Sequence, residues 1–220
     1  MGAKPPLTPP TTSGIVGKGG VAPVELVYTF INRFINIYIM GDDFKTILNA
    51  SYKPQAQAKQ DLENKGYTYD KDLSTMNSKV FVDKEGNANI VYRGSTRVSD
   101  WFKNPLIAVG LQKYDPDFIK AKQLAKDVSV KYNSKPTVYG HSRGGSIAEY
   151  VGKDAKQINT YNKGAGIDTI GKKVSKNQHD YRARFDPISI LGTTQKGNIT
   201  SLSSSINPLK AHSTRINFSQ

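Results

Sequence analysis

Residues 136–147 read PTVYGHSRGGSI. Thr137, Val138 and Tyr139 suit a short strand, Gly140-His141-Ser142-Arg143-Gly144 come next, and small residues then open a helix. Strand, sharp turn and helix in that order put Ser142 in a strained backbone conformation. The positions two before and two after it must lack bulk, because strand and helix nearly touch there. Such a turn lifts the serine hydroxyl above the carboxyl end of the strand. It also aims the N–H groups of the helix start at the space in front of that hydroxyl. Glycine and serine are common turn residues, so an ordinary glycine-rich turn gives the same pattern, and the rest of the chain decides between them.

Upstream, Phe118 to Lys131 has helical spacing and leads into the elbow strand. Lys79 to Val82 and Asn89 to Arg93 read as strands joined by the hairpin connection Asp83-Lys84-Glu85-Gly86-Asn87. Pro54 to Lys65 reads as a helix stopped by Gly66, and Val24 to Met40 as an amphipathic helix, better suited to a core than to a membrane surface. Downstream, Ser146 to Lys156 continues the elbow helix. Strand signals return at Ile158 to Tyr161, at Tyr181 to Phe185 and more weakly at Ile199 to Leu202. Alternating helices and strands with an added hairpin predict an α/β fold: a mixed, mostly parallel sheet flanked by helices in a compact single domain. Residues 1–22, rich in Pro, Thr and Gly, are expected to be a flexible arm, and residues 23–220 the domain.

The chain has 220 residues, no cysteine and three histidines. Disulfides and thiolate metal sites are therefore impossible. A three-histidine metal centre would consume the histidine inside the elbow, so neither metal nor cofactor is expected. With 31 Lys and Arg against 18 Asp and Glu, the formal net charge is +13. That excess favours anionic partners, an acidic lipid surface or nucleic acid. No basic run is interleaved with aromatics, so no specific nucleic-acid partner is expected. The start, MGAKPPLTPP, lacks the apolar stretch of a secretory signal. The expected setting is intracellular, or virus-encoded and virion-associated.

A serine alcohol attacks only when a positioned base takes its proton. The side chain of His141 leaves the turn in another direction from Ser142, and His179 precedes a strand at the opposite end of the sheet. His212, in the loop Asn207-Pro208-Leu209-Lys210-Ala211-His212-Ser213, remains. The base needs a carboxylate to fix its tautomer, and groups of this kind collect beyond the carboxyl ends of strands. Asp186 directly follows Arg182 to Phe185 and is preferred; Asp168 is the alternative. The order Ser142, Asp186, His212 is that of α/β-hydrolases. Oxyanion donors are expected from the backbone N–H of Arg143 and from Ser95, after the strand ending Arg93-Gly94-Ser95.

These features recur together. Arg93-Gly94-Ser95, Asp100-Trp101, Gly140-His141-Ser142-Arg143-Gly144-Gly145, Asp186-Pro187 and His212 stand in that order, and over about residues 67–213 the chain resembles the fungal-type (class 3) lipases. The resemblance implies an α/β-hydrolase-type fold. It implies Ser142 as nucleophile, Asp186 as acid, His212 as base and Ser95 in the oxyanion role. The substrate it implies is a carboxylic ester of a lipid, an acylglycerol or a phospholipid. Thr96 to Gly110, with Trp101, Phe102, Leu106, Ile107 and Val109 among charged residues, corresponds to the family's lid; its composition fits a mobile flap and a fixed surface helix equally. Arg143 departs from the family's usual leucine and sets a cation beside the nucleophile, to receive an anionic headgroup or to pair internally. Two rival readings remain: a silent lipase-fold module that binds a membrane, a partner or a virion, and an esterase or deacylase with a soluble substrate.

Overall fold

The computed structural model describes residues 43–95, 112–202 and 205–213. The expected arm, the helix over 24–40 and the stretch Thr96 to Gly110 lie outside the described residues. Among the described residues, seven strands form one sheet in chain order: β1 Thr68–Asp70, β2 Ser78–Val82, β3 Ala88–Tyr92, β4 Thr137–His141, β5 Gln157–Tyr161, β6 Gln178–Ala183 and β7 Ile199–Leu202. Strands β1, β2 and β3 pair antiparallel, and β3 through β7 run parallel. Residues 43–50 are helical (α1). The further helices are α2 Gln55–Asn64, α3 Pro116–Tyr132, α4 Arg143–Val151 and α5 Pro208–Ala211. This is the mixed, mostly parallel α/β sheet flanked by helices that the sequence predicts.

Local chemistry sets the ends of these elements. In the β2–β3 hairpin, Asp83 Oδ1 accepts the N–H of Glu85 at 3.0 Å and of Asn87 at 2.7 Å, and Gly86 supplies the positive φ of 83°. Helix α3 opens on Pro116 behind Asp115, whose side chain caps the N–H of Asp117, and it closes on Asn133 in the left-handed region.

The strands' period of two sorts the core into two layers. On one face Val80, Ile90, Tyr92, Val138 and Ile158 pack against Phe118, Ala121, Ala125 and Val128 of α3 and Ile147, Ala148 and Val151 of α4. On the other, Phe81, Val91, Tyr161, Ala183 and Leu202 meet Phe44, Ile47 and Leu48 of α1 and Ala58 and Leu62 of α2.

Several elements differ from the sequence-based expectation. Strand β1 has too few residues to show a period, and its pairing with β2 rather than its pattern makes it a strand. Helix α4 stops at Val151 rather than continuing to Lys156, because Gly152 turns the chain at φ 58° into a 3-10 turn, Gly152–Asp154. Strand β6 begins at Gln178 and ends at Ala183, so His179 and Asp180 lie inside it, while Phe185 is 47% exposed beyond it. The reason is a buried charge network on the α4 side of the sheet. Asp180 accepts hydrogen bonds from Lys163 at 2.8 Å, Thr160 at 2.7 Å, Gln178 at 2.8 Å and Arg182 at 3.1 Å, and Lys163 also reaches Glu149 at 2.7 Å. Burial works to raise the Asp180 carboxyl. The Lys163 ammonium, with the hydrogen bonds, outweighs it and holds the group below its ordinary value.

Asp180→Ala removes one of the two carboxylates paired with a lysine that is 1% exposed, the same carboxylate that pairs with buried Arg182, so it is expected to cost about 3–5 kcal/mol, read as a lower urea midpoint. Breaking the exposed Lys59–Glu63 pair, 3.8 Å apart, by Glu63→Ala is expected to cost about 0.5 kcal/mol or less.

Candidate active site

The turn between β4 and α4 holds Ser142 at φ 56°, ψ −126°, a sparsely populated conformation that costs about 1–3 kcal/mol. A Cβ on Gly140 would lie 2.1 Å from the carbonyl oxygen of Gly144, and one on Gly144 would lie 2.2 Å from that of Tyr92. The two glycines therefore let α4 approach both β4 and β3. Hydrogen bonds pin the turn: Ser142 N–H donates to the Tyr161 carbonyl at 3.1 Å, and the Ser142 carbonyl accepts from Gly145 at 2.9 Å and Gly164 at 3.1 Å. Ser142 is 3% exposed.

Three distant segments meet at this point. Ser142 Oγ lies 2.9 Å from His212 Nε2, and His212 Nδ1 lies 2.7 Å from Asp186 Oδ1. An anionic Asp186 only accepts, so Nδ1 carries the proton, and Nε2 presents a lone pair to the Ser142 hydroxyl. Asp186 lies past the end of β6 in a tight turn. Its oxygens accept the N–H groups of Ile188 at 3.2 Å and Ser189 at 3.1 Å, which fix the carboxylate's orientation. Asp168, the alternative acid, sits in the 3-10 turn Ile167–Thr169, while Asp186 holds the imidazole.

His212, expected in a loop, directly follows the short helix α5, and its N–H donates to the Pro208 carbonyl at 3.0 Å. His179 is engaged elsewhere, within β6: its Nε2 lies 2.8 Å from Thr200 Oγ1, and its ring stacks on Tyr181 with centroids 4.3 Å apart.

The oxyanion candidates flank the serine. Arg143 is the first residue of α4, where a helix leaves N–H groups without carbonyl partners. Of the two roles open to its side chain, the structure has the internal one. The guanidinium pairs with Asp115 and Asp117, each at 2.9 Å, over the ring of Phe118. Ser95, half-buried, follows Gly94, where an added Cβ would lie 3.2 Å from Ser142 Cβ and 2.3 Å from the Tyr52 hydroxyl. Glycine is thus required where the β3 end passes Ser142.

Three neighbours have roles that the sequence does not assign. Asn162, at φ 45°, donates from Nδ2 to the Ala211 carbonyl and accepts the Ala183 N–H, both at 2.8 Å. It thereby joins the end of β6 to the helix that presents His212. His141 is buried, with Nδ1 2.7 Å from the Tyr52 hydroxyl and Nε2 2.7 Å from the His212 carbonyl. Its histidine–serine context hints only at a turn, and Tyr52 belongs to a segment with no pattern of its own.

Burial, reinforced by the neighbouring His212, pushes the His141 imidazole down to about 3, against the weaker pull of Asp186. The folded chain thus binds this proton less readily than the unfolded chain, whose histidine titrates near its ordinary value of 6.5. Stability is complete above that value and falls as pH drops toward 3. Urea midpoints between about pH 6.5 and pH 4 are expected to show a loss on the order of 3 kcal/mol from this group. His141→Gln should remove that part of the slope, while His179, also held low by burial, contributes in both proteins.

No family model and no curated protein matches the chain. Among solved structures it is similar to a triacylglycerol lipase from Penicillium expansum, at 15% identity over 66% of this chain and 70% of that chain, with a TM-score of 0.33. The likeness is remote.

Proposed function

We propose that the protein is a serine hydrolase that cleaves carboxylic esters of lipids through an acyl-serine intermediate. One observation carries this reading: the unbroken hydrogen-bond chain from Asp186 through His212 to Ser142, assembled from residues far apart in sequence.

In this mechanism Ser142 Oγ attacks the ester carbonyl carbon as His212 Nε2 takes its proton, and Asp186 stabilises the imidazolium that forms. The negative charge that moves onto the carbonyl oxygen is met by the backbone N–H of Arg143 and by Ser95. Collapse of the tetrahedral species expels the alcohol, which leaves with the proton from His212. Water then attacks the acyl-serine with His212 again as base, releasing the acid and restoring Ser142.

The surroundings favour a lipid over a water-soluble ester. Ile167, Ile170, Phe185, Ile190 and Ile206 are each about half exposed or more, and all belong to the connections that leave β5, β6 and β7 at the carboxyl end of the sheet, where Ser142 lies. A cavity of about 780 Å³ beside Asp186 is lined by Phe185, Ile190 and Pro208 together with Arg184 and Lys196. Apolar side chains among cations suit an ester presented at an anionic lipid surface.

Ser142→Ala is expected to lower kcat on a short-chain ester by about 10⁴-fold or more and to abolish labelling by a fluorophosphonate probe, with an unchanged circular dichroism spectrum. His212→Ala should behave in the same way, and His179→Ala should keep most activity. A folded Ser142→Ala protein with undiminished hydrolysis would falsify the mechanism. For the lipid assignment, the wild-type rate should rise when a substrate passes from monomers to aggregates; no rise indicates a soluble substrate.

A further inference from the structure

Tyr52 and His141 stand outside the chain of groups from Asp186 to Ser142, yet their polar atoms all point into its supports. We propose that they are positioning residues, a tether that fixes the backbone of His212 to the segment Gly94–Ser95. Its kinetic consequences rest on the serine-hydrolase reading; the tether itself does not.

The direction of every hydrogen in the tether is set by the atom that faces it. His141 Nε2 lies 2.7 Å from the His212 carbonyl oxygen, which can only accept, so Nε2 carries the proton and donates. The neutral ring then has only a lone pair at Nδ1. The atom facing it at 2.7 Å is the Tyr52 hydroxyl, which must donate. That hydroxyl lies against Gly94, where an added Cβ would be 2.3 Å from it, and burial raises the phenol's pKa. The string therefore runs from Tyr52, packed against Gly94, to His141 and on to the His212 carbonyl, with donor and acceptor fixed at each bond. Its protonation is fixed near neutral pH, because burial keeps the imidazole neutral and the phenol protonated.

The tether matters because the helix that presents the base is only four residues long. Two side chains from beyond β5 and from β4 bond to the backbone at its carboxyl end: the Asn162 amide to the Ala211 carbonyl and the His141 imidazole to the His212 carbonyl. The His141 and His212 rings lie with centroids 4.9 Å apart, and the Tyr161 ring stacks on His141 at 5.7 Å, so His141 is held between the sheet and the base. One string thereby sets two distances at once, that from His212 Nε2 to Ser142 and that from Gly94–Ser95 to the developing oxyanion. Displacement by about 1 Å at such a site costs on the order of 100-fold in rate.

The test uses three full-length variants, His141→Leu, His141→Gln and Tyr52→Phe. Glutamine keeps one donor and one acceptor at the ring's place, leucine keeps neither, and phenylalanine removes a single oxygen from Tyr52. Two readouts are taken on folded protein: kcat and KM on a short-chain ester, and the downfield proton resonance of His212 Nδ1–H in its bond to Asp186. His141→Leu is expected to lower kcat by about 30- to 100-fold with KM nearly unchanged and to broaden the resonance. His141→Gln should recover most of that loss, and Tyr52→Phe should fall between them. Wild-type kcat with a sharp resonance in folded Tyr52→Phe overturns the tether, and so does glutamine behaving no better than leucine. A sharp resonance in wild type that broadens in Tyr52→Phe supports the tether even where Ser142→Ala has shown that no ester is hydrolysed, so the two ideas fail separately.

Discussion

A serine at φ 56° is held against its own preference, and the strain must be met by the packing around it. Here that packing is backbone against backbone. Helix α4 lies so close to β4 and β3 that neither Gly140 nor Gly144 has room for a methyl group. The Ser142 peptide is bonded on one side to the end of β5 and on the other to the connection that leaves it. Strand order matters to the same contact. With β3, β4 and β5 adjacent and parallel, their carboxyl ends crowd together around one hydroxyl. The remaining site residues arrive on the turns beyond those ends.

Charge is arranged to keep this region rigid. Arg143 commits its guanidinium to Asp115 and Asp117. These residues cap and begin α3, the helix that lines the same face of the sheet, so a cation next to Ser142 serves to clamp α4 to α3. The Asp180 cluster acts in the same way beneath β5 and β6, where charged side chains occupy positions that apolar residues fill elsewhere on that face. Buried charge pairs of this kind favour one geometry, since a partial rearrangement leaves a charge buried without its partner.

The sheet and the position of the elbow are legible in the residues because each rests on a short-range rule. Hairpin 83–87 needs Asp and Gly at set places, and the elbow needs small residues on either side of Ser142. Asp186 and His212 can be nominated because so few histidines exist and because carboxylates beyond strand ends have a preferred place. Features that depend on contacts between distant segments stay hidden. The start of β6 is one, because Asp180 and Arg182 look solvated until Lys163 is seen beside them. Likewise, a tyrosine at position 52 says nothing of an imidazole 2.7 Å away at position 141. Helix α4 reads too long in the sequence because Gly152 ends it by backbone geometry within an otherwise helical run.

The sheet is also built in the order of the chain, with strands β1 through β7 side by side as they are synthesised. Residue 212 comes after all of them. A ribosome emitting this polypeptide can therefore finish the elbow, and shape the strained serine, well before the imidazole emerges to meet it. Through that interval Ser142 lacks its hydrogen bond to His212, which forms only when the last turn of the fold docks.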